Sequence, residues 1–168
     1  MMCGITGFID YTKDVLINKN VLLAMNNALS KRGPDEDGYV MKQHIAVAHK
    51  RLIVIDPEGG KQPMIYLHEG NEYVIVYNGQ IYNKKELKNT LEENGFDINS
   101  HSDTELLLKS YIHFGEDVVN HLNGIFAFAI WNSKKEELFI ARDHFGIKPF
   151  FYTINDGTFI FASEIKSL

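Results

Sequence analysis

Two periodicities run through this sequence and divide it into helical and extended stretches. In residues 18–33, Val21, Leu22, Met25, Ala28 and Leu29 fall on one stripe at helical spacing. The segment NKKELKNTLEENG places Glu86 three residues after Asn83, the spacing of a capping box, and stops at Gly95. SDTELLLKSYIHFG repeats the device from Ser102 to Glu105, with Leu106, Leu107, Tyr111 and Phe114 behind it. A shorter helix is expected from Glu116 to Leu122. Extended, apolar stretches cover residues 3–9, 45–55, 72–78, 124–131, 137–143, 149–154 and 158–163. Asn155-Asp156-Gly157 between the last two is a hairpin signal, which implies antiparallel pairing. Yet IFAFAIW at 125–131 lacks the polar alternation of a half-exposed strand. The conflict resolves if the sheet is covered on both faces, by a second sheet inside and helices outside. The expected fold is therefore α+β, a four-layer α-β-β-α sandwich of two mainly antiparallel sheets flanked by helices.

Composition narrows the classes. A chain of 168 residues with 45% hydrophobic and 12% aromatic residues is expected to form one domain, with a core that needs no staples. Its single cysteine, Cys3, excludes an internal disulfide and a multi-cysteine zinc site, and suits a reducing compartment. A formal charge of −5 without a Lys/Arg cluster argues against a nucleic-acid surface. No apolar run approaches the roughly 20 residues a spanning helix needs, and no signal peptide is evident. A cytoplasmic protein is expected. The seven histidines are scattered without metal-ligand spacing, so no metal is expected.

Several short stretches carry candidate chemistry. Asn78 and Gly79, in NGQIYN, are expected where the chain leaves a strand. They form either an ordinary Asn-Gly turn or a pair of convergent N–H donors suited to an oxyanion. RGPDEDG at 32–38 is rich in turn formers and reads as a helix stop. Arg51 beside an apolar strand is either solvated or a planar fork for a carboxylate. Asp103 in the first turn of a helix is explained by capping alone or by ligand binding. A lone thiol at Cys3, taken without other context, reads first as a small apolar residue packed at the start of a strand and only second as a nucleophile.

In order along nearly the whole chain, CGI, RGPD, RL, NG-IYN, SDTE, RDHFGIKPFFY and ASEIKSL resemble the glutaminase domain of class II glutamine amidotransferases, which are N-terminal-nucleophile hydrolases. RGPD, RDHFGIKP and SEIKSL are most similar to glutamine-hydrolysing asparagine synthetases. The resemblance implies that Cys3 is the nucleophile and its own α-amine the base. It assigns Asn78 and Gly79 to the oxyanion hole, Arg51 to the substrate α-carboxylate and Asp103 to the α-ammonium. Leu52, Ile53, Val54 and Ile55, together with Gln80, would complete a pocket for free L-glutamine. An amine with a pKa of about 7.7–8.0 can exchange protons near neutrality, so no histidine partner is needed.

The departures matter too. Gln80 stands where relatives usually carry an acid, leaving the ammonium mainly to Asp103, and Lys31 stands where relatives commonly have histidine. The doubled methionine holds the Cys3 nitrogen in an amide, so catalysis requires removal of Met1 and Met2. Residues 1–168 are expected to be a single glutaminase domain without a cofactor of its own. ATP and magnesium are expected only in a C-terminal synthetase domain, where ammonia would convert aspartate to asparagine. That domain and L-glutamine are the expected partners. A homodimer is added because the related synthetases are often dimers; neither nucleic acid nor membrane is expected. The competing readings are a non-catalytic glutamine-binding module and a glutaminase serving a different ammonia acceptor.

Overall fold

The computed structural model describes residues 2–53, 56 and 58–168. One sheet has five strands in the order β2-β3-β1-β9-β8, formed by β1 (Gly4–Ile9), β2 (Glu36–Met41), β3 (Ile45–Arg51), β8 (Phe151–Asn155) and β9 (Thr158–Ala162). The other has four, in the order β4-β5-β6-β7, formed by β4 (Met64–His68), β5 (Asn71–Ile81), β6 (Gly124–Asn132) and β7 (Glu137–Arg142). All pairings are antiparallel. Helix α1 (Lys19–Ala28) packs on the five-stranded sheet, and α2 (Lys84–Glu93), α3 (Asp103–Phe114) and the one-turn α4 (Val118–His121) cover the four-stranded one.

Strand periodicity explains the layering. Along β3, Ala46 and Ala48 join Phe8, Leu22 and Met25 beneath α1, while Ile45 and Val47 face the other sheet. Along β6, Ala127, Ala129 and Trp131 enter the core between the sheets, and Phe126, Phe128 and Ile130 enter the core under α2 and α3. Both faces are buried, so IFAFAIW has no polar alternation to show. The hairpin between β8 and β9 closes at Asn155 opposite Thr158, with Asp156 at φ 48° and Gly157 at φ 82°. Those are the two left-handed residues a type I′ turn requires.

The structure corrects several expectations. RGPDEDG is not the helix stop: α1 has already ended at Ala28, capped at Leu29, and the segment instead leads into β2 at Glu36. β4, a five-residue edge strand of sequence MIYLH directly after Pro63, went unrecognised although most of its residues are apolar. Val21 is 52% exposed and belongs to the solvent side of α1. The Asn83 side chain does not cap α2; it donates to His121 O at 2.9 Å and accepts from Asn123 N at 3.0 Å. Ser102 caps α3 by accepting from Thr104 N, but Glu105 reaches past it to Asn99 N and Ser100 N. Cover is also incomplete: every residue of the edge strand β8 is exposed. Among the described residues, no helix is long and apolar enough to cross a membrane.

One polar contact bridges the sheets. His49, on β3 and fully buried, donates from Nε2 to Tyr77 O on β5 at 3.2 Å. Burial pushes its pKa down to about 3 from an ordinary 6.5; the hydrogen bond to Tyr77 opposes that shift, and the charge of Arg51 adds to it. The unfolded chain therefore takes up this proton below pH 6.5, while the folded chain resists until about 3. Stability from this group is full above that window and is lost as pH falls through it. The urea midpoint should drop on acidification from pH 6.5 to 4.5, and His49→Gln, which keeps a donor for Tyr77, should make that drop shallower. Equal slopes in the two proteins would show that His49 does not contribute.

Candidate active site

Cys3 immediately precedes β1, and the β1–β3 register, with Gly4 opposite Lys50, brings it alongside the end of β3. Its carbonyl accepts from Arg32 Nε at 2.9 Å, and Arg32 is itself paired with Glu164. The thiol sits against the backbone of Leu52, with N to Sγ 3.4 Å and Sγ to O 3.6 Å. Burial pushes the thiol pKa up; the Leu52 N–H and the charge of Arg51 only partly oppose this. A nearby base is therefore needed to ionise it.

A cavity of about 210 Å³ opens beside this thiol, lined by residues from both sheets and from the start of α3. Cys3, Arg51, Leu52, Asn78, Gly79, Gln80 and Asp103 all line it. Ile53 does not; its N–H is bonded to Asp35 at 2.8 Å and its side chain is exposed. Val54 and Ile55 lie outside the described residues. Gly60, Gln62, Tyr77, Ser102, Thr104 and Lys148 also contribute to the wall. Sequence reasoning gave these six no part in the pocket (Ser102 was expected only as a helix cap), although the Gly59-Gly60 pair was a legible sign of close backbone approach.

Asn78 and Gly79 lie inside β5, opposite Ala127 and Phe126, rather than at a strand exit or in a turn. Phe126 uses its N–H and C=O on Asp143, so the Gly79–Phe126 pair exchanges no backbone bonds. The N–H groups of Tyr77, Gly79 and Ile81 therefore face away from β6. That of Tyr77 goes to Gln62 Oε1 at 2.6 Å and that of Ile81 to Asp103 Oδ2 at 2.9 Å. The Gly79 N–H lies between them, toward the cavity. On the other face, the Asn78 side-chain nitrogen is buried without a hydrogen-bond partner. An unpaired buried amide costs about 1–3 kcal/mol, so it marks a place that tolerates the cost for another reason.

Arg51, the last residue of β3, is 4% exposed and far from solvated. Its cross-strand partner is Glu36, with Nη1 to Oε2 2.7 Å, and its Nη2 donates to Asp56 O at 2.6 Å. A Cβ on Gly60 would lie 2.4 Å from Nη2, so only glycine lets the guanidinium sit there. Asp56 also ties this loop to the one before α3, accepting from Gly59 N at 2.7 Å and His101 N at 2.9 Å. Asp143 does the same for the cavity's far wall. Despite its burial, N–H donations from Lys148, Ile147 and Phe126 hold its carboxyl below the usual range. They also fix Lys148, whose ammonium is pushed down by burial and by Arg32. Among the described residues, no group of three or more His, Cys, Asp and Glu side chains is arranged to hold a metal ion.

A family model described as a glutamine amidotransferase domain matches residues 2–168. The chain belongs to that family. This amidotransferase domain is 49% identical over 167 residues to asparagine synthetase [glutamine-hydrolyzing] 3 of Bacillus subtilis, covering 99% of the chain and 27% of that protein. It is 45% identical over 172 residues to asparagine synthetase [glutamine-hydrolyzing] 1 of the same organism, covering 99% and 26%. The chain thus spans about a quarter of the length of these curated relatives. The solved structure of the allosteric regulatory enzyme of purine biosynthesis superposes with a TM-score of 0.82 at 21% identity, over 98% of this chain and 42% of that one. At that identity the likeness is one of fold, and it confirms the α-β-β-α architecture.

The backbone approach at Gly79 yields a direct check. A Cβ there would meet Ile125 O at 2.4 Å, a rigid ladder atom that cannot swing aside. Gly79→Ala should lower unfolding free energy by about 1–3 kcal/mol, the usual cost of overpacking, read from a urea titration. An unchanged midpoint would mean that β5 and β6 are not so closely paired.

Proposed function

We propose that this domain hydrolyses L-glutamine to L-glutamate and ammonia through a thioester on Cys3. The observation that carries the reading is the buried, unpartnered Asn78 nitrogen in the cavity that holds the chain's sole thiol. With Cys3 as first residue, its α-amine takes the thiol proton and Sγ attacks the side-chain carbonyl carbon of glutamine. The oxyanion is received by Asn78 Nδ2 and the Gly79 N–H. The C–N bond then breaks, the ammonium form of the base returns its proton and ammonia leaves. Water next adds to the thioester, glutamate departs and the thiol is restored. Arg51 grips the substrate α-carboxylate and Asp103 its α-ammonium; both line the cavity, one a cation and the other an anion.

The fate of the ammonia rests on the relatives. Two of them are named as glutamine-hydrolysing asparagine synthetases and are several times longer than this chain. Asparagine synthesis from aspartate, with its ATP and magnesium, is accordingly assigned to a C-terminal synthetase domain that works as the partner of this one.

Met2 lines the cavity, its Sδ 3.0 Å from Lys148 Nζ, and the Cys3 nitrogen is in an amide with it. Removing both methionines would free the base and clear that space together. Protein whose intact mass shows Cys3 as first residue should release ammonia from glutamine, and protein retaining Met2 should not. Ammonia release at equal rates from both would overturn the role of the α-amine. Binding of glutamine without release by the trimmed form would leave a glutamine-binding module. In trimmed protein, Asn78→Ala should lower kcat about 10²- to 10³-fold, the measured worth of one oxyanion donor elsewhere. A kcat within a few-fold of the parent would remove Asn78 from the reaction.

A further inference from the structure

We infer that Lys84 is a positioning residue that sets how strongly this pocket holds the ammonium group of its ligand, by competing for Asp103. The inference rests on the glutamine reading above and deepens it. Among the described residues lining the cavity, Asp103 is the one carboxylate; Gln80, Ser102 and Thr104 carry no charge, and Arg51 and Lys148 are cationic. Any cationic group of a bound molecule therefore depends on Asp103 for its counter-charge. That carboxylate is already engaged. Oδ2 accepts from Ile81 N at 2.9 Å and lies 3.5 Å from the Tyr77 hydroxyl, while Lys84 Nζ lies 2.8 Å from Oδ1. Oδ1 accepts no aligned hydrogen bond, so Lys84 neutralises its charge without filling its hydrogen-bonding capacity.

The placement of Lys84 strengthens the case. It is the first residue of α2, where a cation is opposed by the positive end of the helix dipole. Asp103 is the first residue of α3, where an anion is favoured. The carboxylate is thus held in place by α3, Ile81 N and Tyr77 without help, whereas the ammonium of Lys84 is stabilised chiefly by Asp103. Lys84 is also partly exposed, with 38% of its side chain accessible against 10% for Asp103, so it can swing into solvent when a ligand ammonium arrives. Binding an ammonium group then means exchanging one ion pair for another, which lowers affinity for the α-amino form. A ligand lacking that charge loses nothing by the presence of Lys84.

The test uses protein that begins at residue 3 and carries Cys3→Ala, so that the space Met2 fills is clear and ligands bind without turnover. L-glutamine and Nα-acetyl-L-glutamine are titrated calorimetrically into this parent and into its Lys84→Met and Lys84→Arg forms. Lys84→Met should tighten L-glutamine about 2- to 5-fold, the range for freeing one partly exposed charge partner. It should leave Nα-acetyl-L-glutamine unchanged, and Lys84→Arg should behave like the parent. In trimmed, active protein the same Lys84→Met change should lower KM and leave kcat alone, a split that a merely structural role would not produce. Unchanged or weaker glutamine binding in Lys84→Met, or equal tightening of both ligands, would overturn the inference while the glutaminase reading stands. Failure of the parent to bind glutamine at all, with no ammonia release by the trimmed enzyme, would overturn both.

Discussion

The apolar contact between the two sheets is the constraint from which the site follows. Ile5, Ile45, Val47 and Phe161 on one side meet Val74, Val76, Ala127 and Trp131 on the other. Sheets packed face to face keep a fixed separation and angle set by the interdigitated side chains. Cys3 enters from the start of β1, and Asn78 and Gly79 from β5. Neither strand is hydrogen-bonded to the other, so their relative position depends chiefly on this packing. The His49 contact to Tyr77 O, one residue from Asn78, adds a polar pin to a joint that is otherwise apolar.

Above that joint, the cavity walls are loops whose order comes from carboxylates rather than from strand ladders. Asp56, Glu105 and Asp143 each collect backbone N–H groups from segments that would otherwise be free. Glu105 is joined in this by Lys109, which is 2% exposed and donates to both Glu105 and Asp97 O. Such buried pairs add little net stability, but removing one member leaves an uncompensated charge. They hold a geometry at small thermodynamic profit, which suits residues 97–102 because they deliver Ser102 and Asp103 to the pocket. The pair formed by Arg51 and Glu36 works in the same way on β2 and β3.

The balance of charge around the cavity carries the functional consequence. Arg51, Lys148 and, just outside, Lys84 outnumber the single lining carboxylate. The surroundings of Cys3 are therefore electropositive yet desolvated, a combination that favours a thiolate only after a proton acceptor is present. The same architecture occurs in a solved structure at 21% identity, so the sandwich tolerates wide change in sequence.

By itself, the sequence determined the layers. Gapless apolar runs such as 125–131 require burial on both faces, helical stripes require an outer layer, and Asp156-Gly157 requires a hairpin, because each is a local rule about periodicity or φ. It also determined the family, through motifs that survive in order along the chain. Local rules failed where an edge strand or a cap depends on distant partners. Glu36 begins a strand only because Arg51 lies opposite, and Asn83 leaves its cap because His121 and Asn123 come within reach. The same holds for the site. That Asn78 is an orphaned donor within a strand, that Arg51 is buried, and that Lys84 reaches Asp103 are facts about neighbours 15 or more residues away in the chain. Only the packing of two sheets and four helices decides which groups those neighbours are.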